Sequence, residues 1–378
     1  MERLPLGTQT LYAELMELLI ASGTHRSIGH LPGCFTTKSI KGEVYYYYQY
    51  TAPGGDIKQV YIGKKSPVLD KVVKGFLKER EGLKSDIEHV QRLCAQLRIG
   101  GAIVTDAVSS RVLKALEESG IFHLGGVLVG THAFTVIGNL LGFRWHGAAI
   151  KTQDIDIARE RGLSVAIPLI HAGIPAVLER LKMGFLPVPP LNPKNPSTSF
   201  KVRGKALRVD ILTPQRKEES GPVSIPVLNT AAQPMRFLDY LIENPEWGAV
   251  VDGGGVLVKV PNPARFAFHK LIISRLREVT SQDKAQKNVM QASQVFSVLA
   301  DDRPGDLILG DHQIRSSGKS SSCSSRDWER NSSSFLSRPI LFASSNVFSF
   351  SSLDIIRISV TMSPASLYPA ALNLRAAR

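Results

Sequence analysis

Thr152-Gln153-Asp154-Ile155-Asp156-Ile157-Ala158 is the stretch whose reading decides the fold, together with Leu207-Arg208-Val209-Asp210-Ile211-Leu212 further on. Strand side chains alternate faces, so Asp154 and Asp156 point one way while Ile155 and Ile157 point into apolar packing. In the second stretch Leu207, Val209 and Ile211 share a face and Asp210 emerges on the other. Carboxylates converging from two neighbouring strands repel one another unless a cation lies between them. Oxygen-only ligation suits Mg²⁺, which takes one or two carboxylates, several waters and substrate phosphates. That is the chemistry expected of a phosphoryl- or nucleotidyl-transfer site.

Outward from this centre, 123–129 reads as a strand and 131–141 as a helix, leading through a connection to the acidic strand at 151–158. A helix is expected near 174–183, then a Pro-rich loop at 187–196. A strand pair at 199–203 and 206–212 turns at Gly204-Lys205, and strand-like stretches follow at 223–228 and 248–260. Asp252-Gly253-Gly254-Gly255 reads as a hairpin turn, because no helix carrying Lys-Ser/Thr follows it. Helices are expected at 263–279 and 284–299, the first capped by Asn262 with Pro263 in its first turn. Upstream, 8–23 reads as a helix, 44–50 and 57–63 as a hairpin, 67–98 as one or two amphipathic helices, and 109–119 as a short helix.

A chain of 378 residues, 43% hydrophobic, is long enough for two or three domains. No apolar run reaches the roughly 18–20 residues of a membrane span, and the first residues lack the layout of a secretion signal. Cys34, Cys94 and Cys323 are odd in number and far apart, which argues against a disulfide framework or a cysteine zinc site. A cytoplasmic location and no membrane partner are expected. The formal charge of +13 favours polyanionic partners, although the tail from Arg315 holds 8 basic and 3 acidic residues of its own. Of the 51 residues from 316 to 366, 19 are Ser without helical or strand period, so this segment reads as a disordered or aberrant, out-of-frame tail.

Gly130-Thr131, a helix, Asp154-Ile155-Asp156 and a later strand bearing Asp210 resemble the polymerase-β-type nucleotidyltransferase superfamily. More narrowly, the chain resembles bacterial stand-alone nucleotidyltransferase domain proteins, some relatives of which act as toxins in toxin–antitoxin pairs. The resemblance covers roughly residues 100–300. Pro234-Met235-Arg236-Phe237-Leu238-Asp239-Tyr240-Leu241 and Pro263-Ala264-Arg265-Phe266-Ala267-Phe268-His269-Lys270-Leu271 strengthen the narrower match. It implies an α/β (α+β) catalytic core with a mixed sheet at 101–260, an N-terminal hairpin and helical module at 1–100, a helical portion at 261–314 and the tail at 315–378.

The resemblance implies that Asp154 and Asp156 bind metal and that Asp210 binds metal and activates the attacking hydroxyl. Mg²⁺ in a two-metal arrangement is expected, with Mn²⁺ as the alternative. Gly130 and Thr131 match the step where a missing Cβ and free helix-start amides admit phosphates. Lys270 is the leading candidate for a triphosphate contact. It shares a helical stripe with Ser274 and Arg277, and Arg277 and Lys151 are further phosphate candidates. The gap between Thr131 and Asp154 is longer than usual for the superfamily, so 142–150 is expected to form an insertion near the site. Asn288 stands where relatives commonly carry an acid, and no catalytic role is given to it.

The implied reaction moves an NMP from an NTP to a hydroxyl acceptor and releases pyrophosphate, the acceptor being left open among RNA or tRNA, protein and a small molecule. The rival reading is a catalytically inactive nucleic-acid-binding or toxin–antitoxin module on the same fold. His132 reads either as a substrate contact or as a structural helix-start residue. Tyr45 to Tyr48, Tyr50 and Tyr61, flanked by Lys38, Lys41, Lys58, Lys64 and Lys65, also have two readings: a base-stacking patch, or alternate tyrosines packed on the following helix.

Overall fold

The computed structural model describes residues 1–24, 33–51, 57–147, 153–160, 173–190, 195–216, 221–276 and 282–320. The N-terminal part holds β1 (Glu2–Arg3), α1 (Leu6–Thr24), an antiparallel sheet of β2 (Cys34–Ile40), β3 (Glu43–Thr51) and β4 (Ile57–Lys64), and the long α2 (Pro67–Ile99). Next come α3 (Ala107–Glu118), β5 (Gly126–Val129), α4 (Gly130–Leu141), β6 (Phe143–Arg144) and β7 (Asp154–Arg159). They are followed by α5 (Ile174–Arg180), β8 (Phe185–Pro187), β9 (Ser199–Val202), β10 (Arg208–Pro214), β11 (Val223–Ile225), β12 (Thr230–Met235) and α6 (Leu238–Ile242). The hairpin β13 (Glu246–Val250) and β14 (Val256–Val260) leads into α7 (Pro263–Leu276), α8 (Gln282–Asp302) and α9 (Pro304–Ser320).

The central sheet is mixed, in the order β11-β12-β10-β7-β5, with β9 paired to β10 and β8 to β9. β7 runs parallel to β10 and antiparallel to β5. Ile155, Ile157, Val209 and Ile211 are fully buried, so a one-residue slip of either strand would drive carboxylates into the core and isoleucines out of it. This is the mixed α+β architecture that the sequence implies.

Three helix starts are set by side chains. Ser66 accepts from the Leu69 amide at 3.3 Å, with Pro67 opening α2. Asp106 accepts from the Val108 and Ser109 amides at 3.1 and 2.9 Å. Asn262 accepts from the Ala264 amide at 3.0 Å, as its place before Pro263 predicts. The two family-like phrases meet through buried Arg265, which donates to the Tyr240 carbonyl at 2.7 Å and pairs with Glu243 at 2.7 Å.

Residues 67–98 form a single helix, the first of the two expected readings. The stretch 248–260 is the hairpin expected from its Asp-Gly-Gly-Gly turn, and Asp252 accepts from the Gly254 and Gly255 amides at 2.8 and 2.7 Å. Other local expectations are revised. β2 and β12 are strands the sequence did not announce. α9 continues to Ser320, past the position where the sequence reading starts the tail.

Two buried histidines tie stability to pH. Burial pushes His269 down to about 3, with Lys270 adding to the effect, and neither ring nitrogen has a hydrogen-bond partner among the described residues. Burial pushes His132 down to about 4; Asp106 opposes the shift and Lys287 adds to it. Both rings are therefore neutral in the fold and gain a proton on unfolding below about pH 6.5. The stability each contributes is intact above that pH and falls by about 1.4 kcal/mol per unit below it. Urea-unfolding curves between pH 6.5 and 4.5 are expected to show this loss, with a dependence shallower by about 2–3 kcal/mol over that span in His269→Leu. Identical pH dependence in the variant would refute the linkage.

Candidate active site

The alternation seen in the sequence becomes geometry through the β7–β10 register. Asp154 lies opposite Arg208 and Asp156 opposite Asp210 on the parallel pair, while Val129 lies opposite Asp156 on the other side. Asp156 and Asp210 thus stand on one face of adjacent strands, with Asp154 two residues along. Asp154 is exposed and the other two are partly buried. Burial and the Asp210 charge raise the Asp156 carboxyl to about 6, Asp154 adding to this while Lys270 and Arg208 pull the other way.

Gly130 opens α4 with φ +72°, a left-handed conformation that favours glycine. A Cβ there would fall on the Asp156 carboxylate. No side chain caps this helix start, so its first amides point out beside the acids. Thr131 is buried and accepts from Gln291 Nε2 at 3.5 Å, which links α4 to α8.

Positive charge arrives from α7 and α8. Lys270 Nζ donates to Asn288 Oδ1 at 3.4 Å, lies 5.1 Å from the Phe266 ring centroid, and acts electrostatically on Asp156. Lys287 is brought to the same acids: burial lowers its ammonium pKa, and Asp154 and Asp156 raise it. Sequence reading missed Lys287, Gln291 and the orienting role of Asn288. Their signal was a polar stripe at helical spacing, Lys287-Asn288 then Gln291, on a helix face that also carries Ala292 and Val295. Arg208 and Ser199 were missed as well. Arg208 Nε donates to Asp210 Oδ1 at 2.8 Å and to Ser199 Oγ at 2.7 Å, and Ser199 Oγ donates to the same carboxylate oxygen.

Lys151 and Arg277 lie outside the described residues, as do 148–150 of the expected insertion. Its described part turns at Gly142: β6 pairs with β1, Trp145 is buried against Phe134, donating to the Phe134 carbonyl at 2.6 Å, and the His146 amide donates to Gln294 of α8 at 3.1 Å.

The donor set fits a hard cation in its chemistry. Every candidate ligand is a carboxylate oxygen, and the raised Asp156 carboxyl marks negative charge that a cation would relieve. Among the described residues, however, no three acidic, His or Cys side chains form a closed ligand set, and Asp210 engages Arg208 and Ser199 through one oxygen. The fit is to an open site completed by waters and phosphates.

A mixed α+β sheet presenting acids beside a glycine-started helix is the layout of enzymes that move phosphorylated groups. The chain belongs to the nucleotidyltransferase family, whose model matches residues 107–313. It is therefore a transferase with a nucleoside triphosphate as donor, and nucleotidyltransferases generally use divalent metals. No curated protein and no solved structure matches the chain. Among the described residues no helix is long and apolar enough to cross a membrane.

Proposed function

We propose that the protein transfers an NMP from an NTP to a hydroxyl acceptor in the cytoplasm, using Mg²⁺ (or Mn²⁺) held by Asp154, Asp156 and Asp210. The observation carrying this reading is the register that sets Asp156 beside Asp210, with a Cβ-free Gly130 against Asp156. The uncapped amides of α4 and the Lys270 ammonium receive the triphosphate; Lys151 and Arg277 remain phosphate candidates from sequence. Bound metal would supply charge neutralisation at the attacking and leaving oxygens. The acceptor oxygen bonds to the α-phosphorus, the bond to the β-phosphate oxygen breaks, and pyrophosphate leaves with the electron pair. Asp210 Oδ1 is engaged by Arg208, which leaves Oδ2 to take the acceptor proton. The unit 101–260 is proposed as the catalytic core, backed by 261–314.

The Arg208–Asp210 bond favours one second reading, a catalytically silent nucleic-acid-binding or toxin–antitoxin module, because it neutralises a carboxylate the reaction needs. Incubation with each α-labelled NTP, Mg²⁺ and bulk RNA or protein separates the two. Label is expected on an acceptor, and Lys270→Ala is expected to raise the NTP KM roughly ten- to hundredfold, the worth of a charged hydrogen bond. Label on no acceptor fraction overturns transfer; an unchanged KM removes Lys270 from the triphosphate site.

A further inference from the structure

The N-terminal sheet separates the tyrosines by face. Tyr46 is buried and donates to Asp70 at 2.6 Å, and Tyr48 packs edge-on against Phe76 of α2 with centroids 6.2 Å apart. These two perform the packing role. Tyr45 and Tyr47 point to the opposite side, where β4 brings Tyr61 into register with Tyr47. Tyr61 lies 5.6 Å from the Tyr47 ring and 6.1 Å from the Tyr45 ring, and is 56% exposed. The core does not need this triplet.

Its surroundings are basic and polar. Lys38 Nζ sits 4.7 Å from the Tyr47 centroid, and Lys64 lies opposite Tyr45. The acid Glu43 is matched by Lys64 at 2.8 Å, which leaves Lys38 and the turn residue Lys41 in excess. Next along the same face, Gln59 Nε2 donates to Gln49 Oε1 at 2.8 Å, so further amide donors and acceptors flank the rings. Exposed aromatic faces, lysines at their margin and amides at their edge match unpaired bases, phosphates and ribose hydroxyls.

We propose that the outer face of β2–β4 binds single-stranded RNA, stacking bases on Tyr45, Tyr47 and Tyr61, with Lys38 serving the backbone. Three rings in contact through Tyr61 suit the successive bases of a polymer, whereas a mononucleotide presents one. Binding is independent of catalysis. Only the corollary that the bound RNA is the acceptor rests on the transfer reading.

The test is fluorescence anisotropy of the full chain with labelled U20 RNA in EDTA, where no metal-dependent turnover contributes. Tyr45→Ala/Tyr47→Ala/Tyr61→Ala is expected to weaken U20 binding at least tenfold, and the matching triple Phe variant to stay within about twofold, since stacking needs the ring alone. Tyr61→Ala, the most exposed single change, is expected to lose binding without a change in melting temperature. dT20 and a 20-base-pair RNA duplex are expected to bind more weakly than U20. Failure of U20 to bind, an unchanged Kd in the triple Ala variant, or dT20 binding as tightly as U20 overturns the proposal.

Discussion

Asn in place of Asp156 is expected to lower nucleotidyl transfer by about 10³-fold or more while making the metal-free protein harder to unfold. Loss of activity follows from removing the central acid of the site, whose charge the reaction needs and whose neutral amide cannot replace it. The gain in stability follows from the same charge. Its carboxyl is held near 6 by burial and by Asp210, so folding at neutral pH places a carboxylate where it is disfavoured. For an acid raised in the fold, stability is highest at low pH and is lost as pH rises from the ordinary carboxylate range through about 6. The partial exposure of Asp156 discounts the effect to about 1–3 kcal/mol at pH 7.5. In chelator, Asp156→Asn should melt above the wild type; added Mg²⁺ should raise the wild type and leave the variant unmoved. A variant that keeps its turnover, or melts lower in chelator, contradicts the placement of Asp156.

Gly130→Ala is expected to lose both stability and activity. At φ +72° an L side chain is strained, and the new Cβ meets the Asp156 carboxylate instead of open space. Strain of this kind costs about 1–3 kcal/mol. Pushing the acid aside by about an ångström costs on the order of 10²-fold in rate. Single-turnover kinetics with saturating NTP and a thermal melt read the two effects separately. Wild-type rates in Gly130→Ala would show that the helix start plays no part in positioning the acid.

The acidic strands were legible because their alternation is strict: each Asp of β7 and β10 is flanked by an aliphatic residue that the core buries completely. The glycine step was legible for a comparable reason, a single residue type suited to one backbone conformation. Other features lacked a local signal. β12 carries Pro234, which cannot donate to a ladder, and β2 is an edge strand whose middle, Thr36 to Ser39, is polar throughout. Lys287 owes its position to packing between elements distant in sequence, whereas Arg208 stands two residues before Asp210 on the same strand. The spacing of Lys287 from the acids was invisible until α8 was set against the sheet. Within the tyrosine cluster, composition announced an aromatic patch, but only the pairing register divides buried rings from presented ones.

Helix α2 gives this architecture one freely adjustable length. Its buried residues fall into two groups, Phe76 beneath the tyrosine sheet and Val90 to Leu97 against α1, with a largely exposed shaft between. Inserting or deleting a heptad in that shaft would shift the sheet by about 10 Å and rotate it only slightly, leaving both anchoring ends as they are. The spacing between the tyrosine sheet and α1 is thus encoded like the mark on a ruler, and evolution could retune it without disturbing either end.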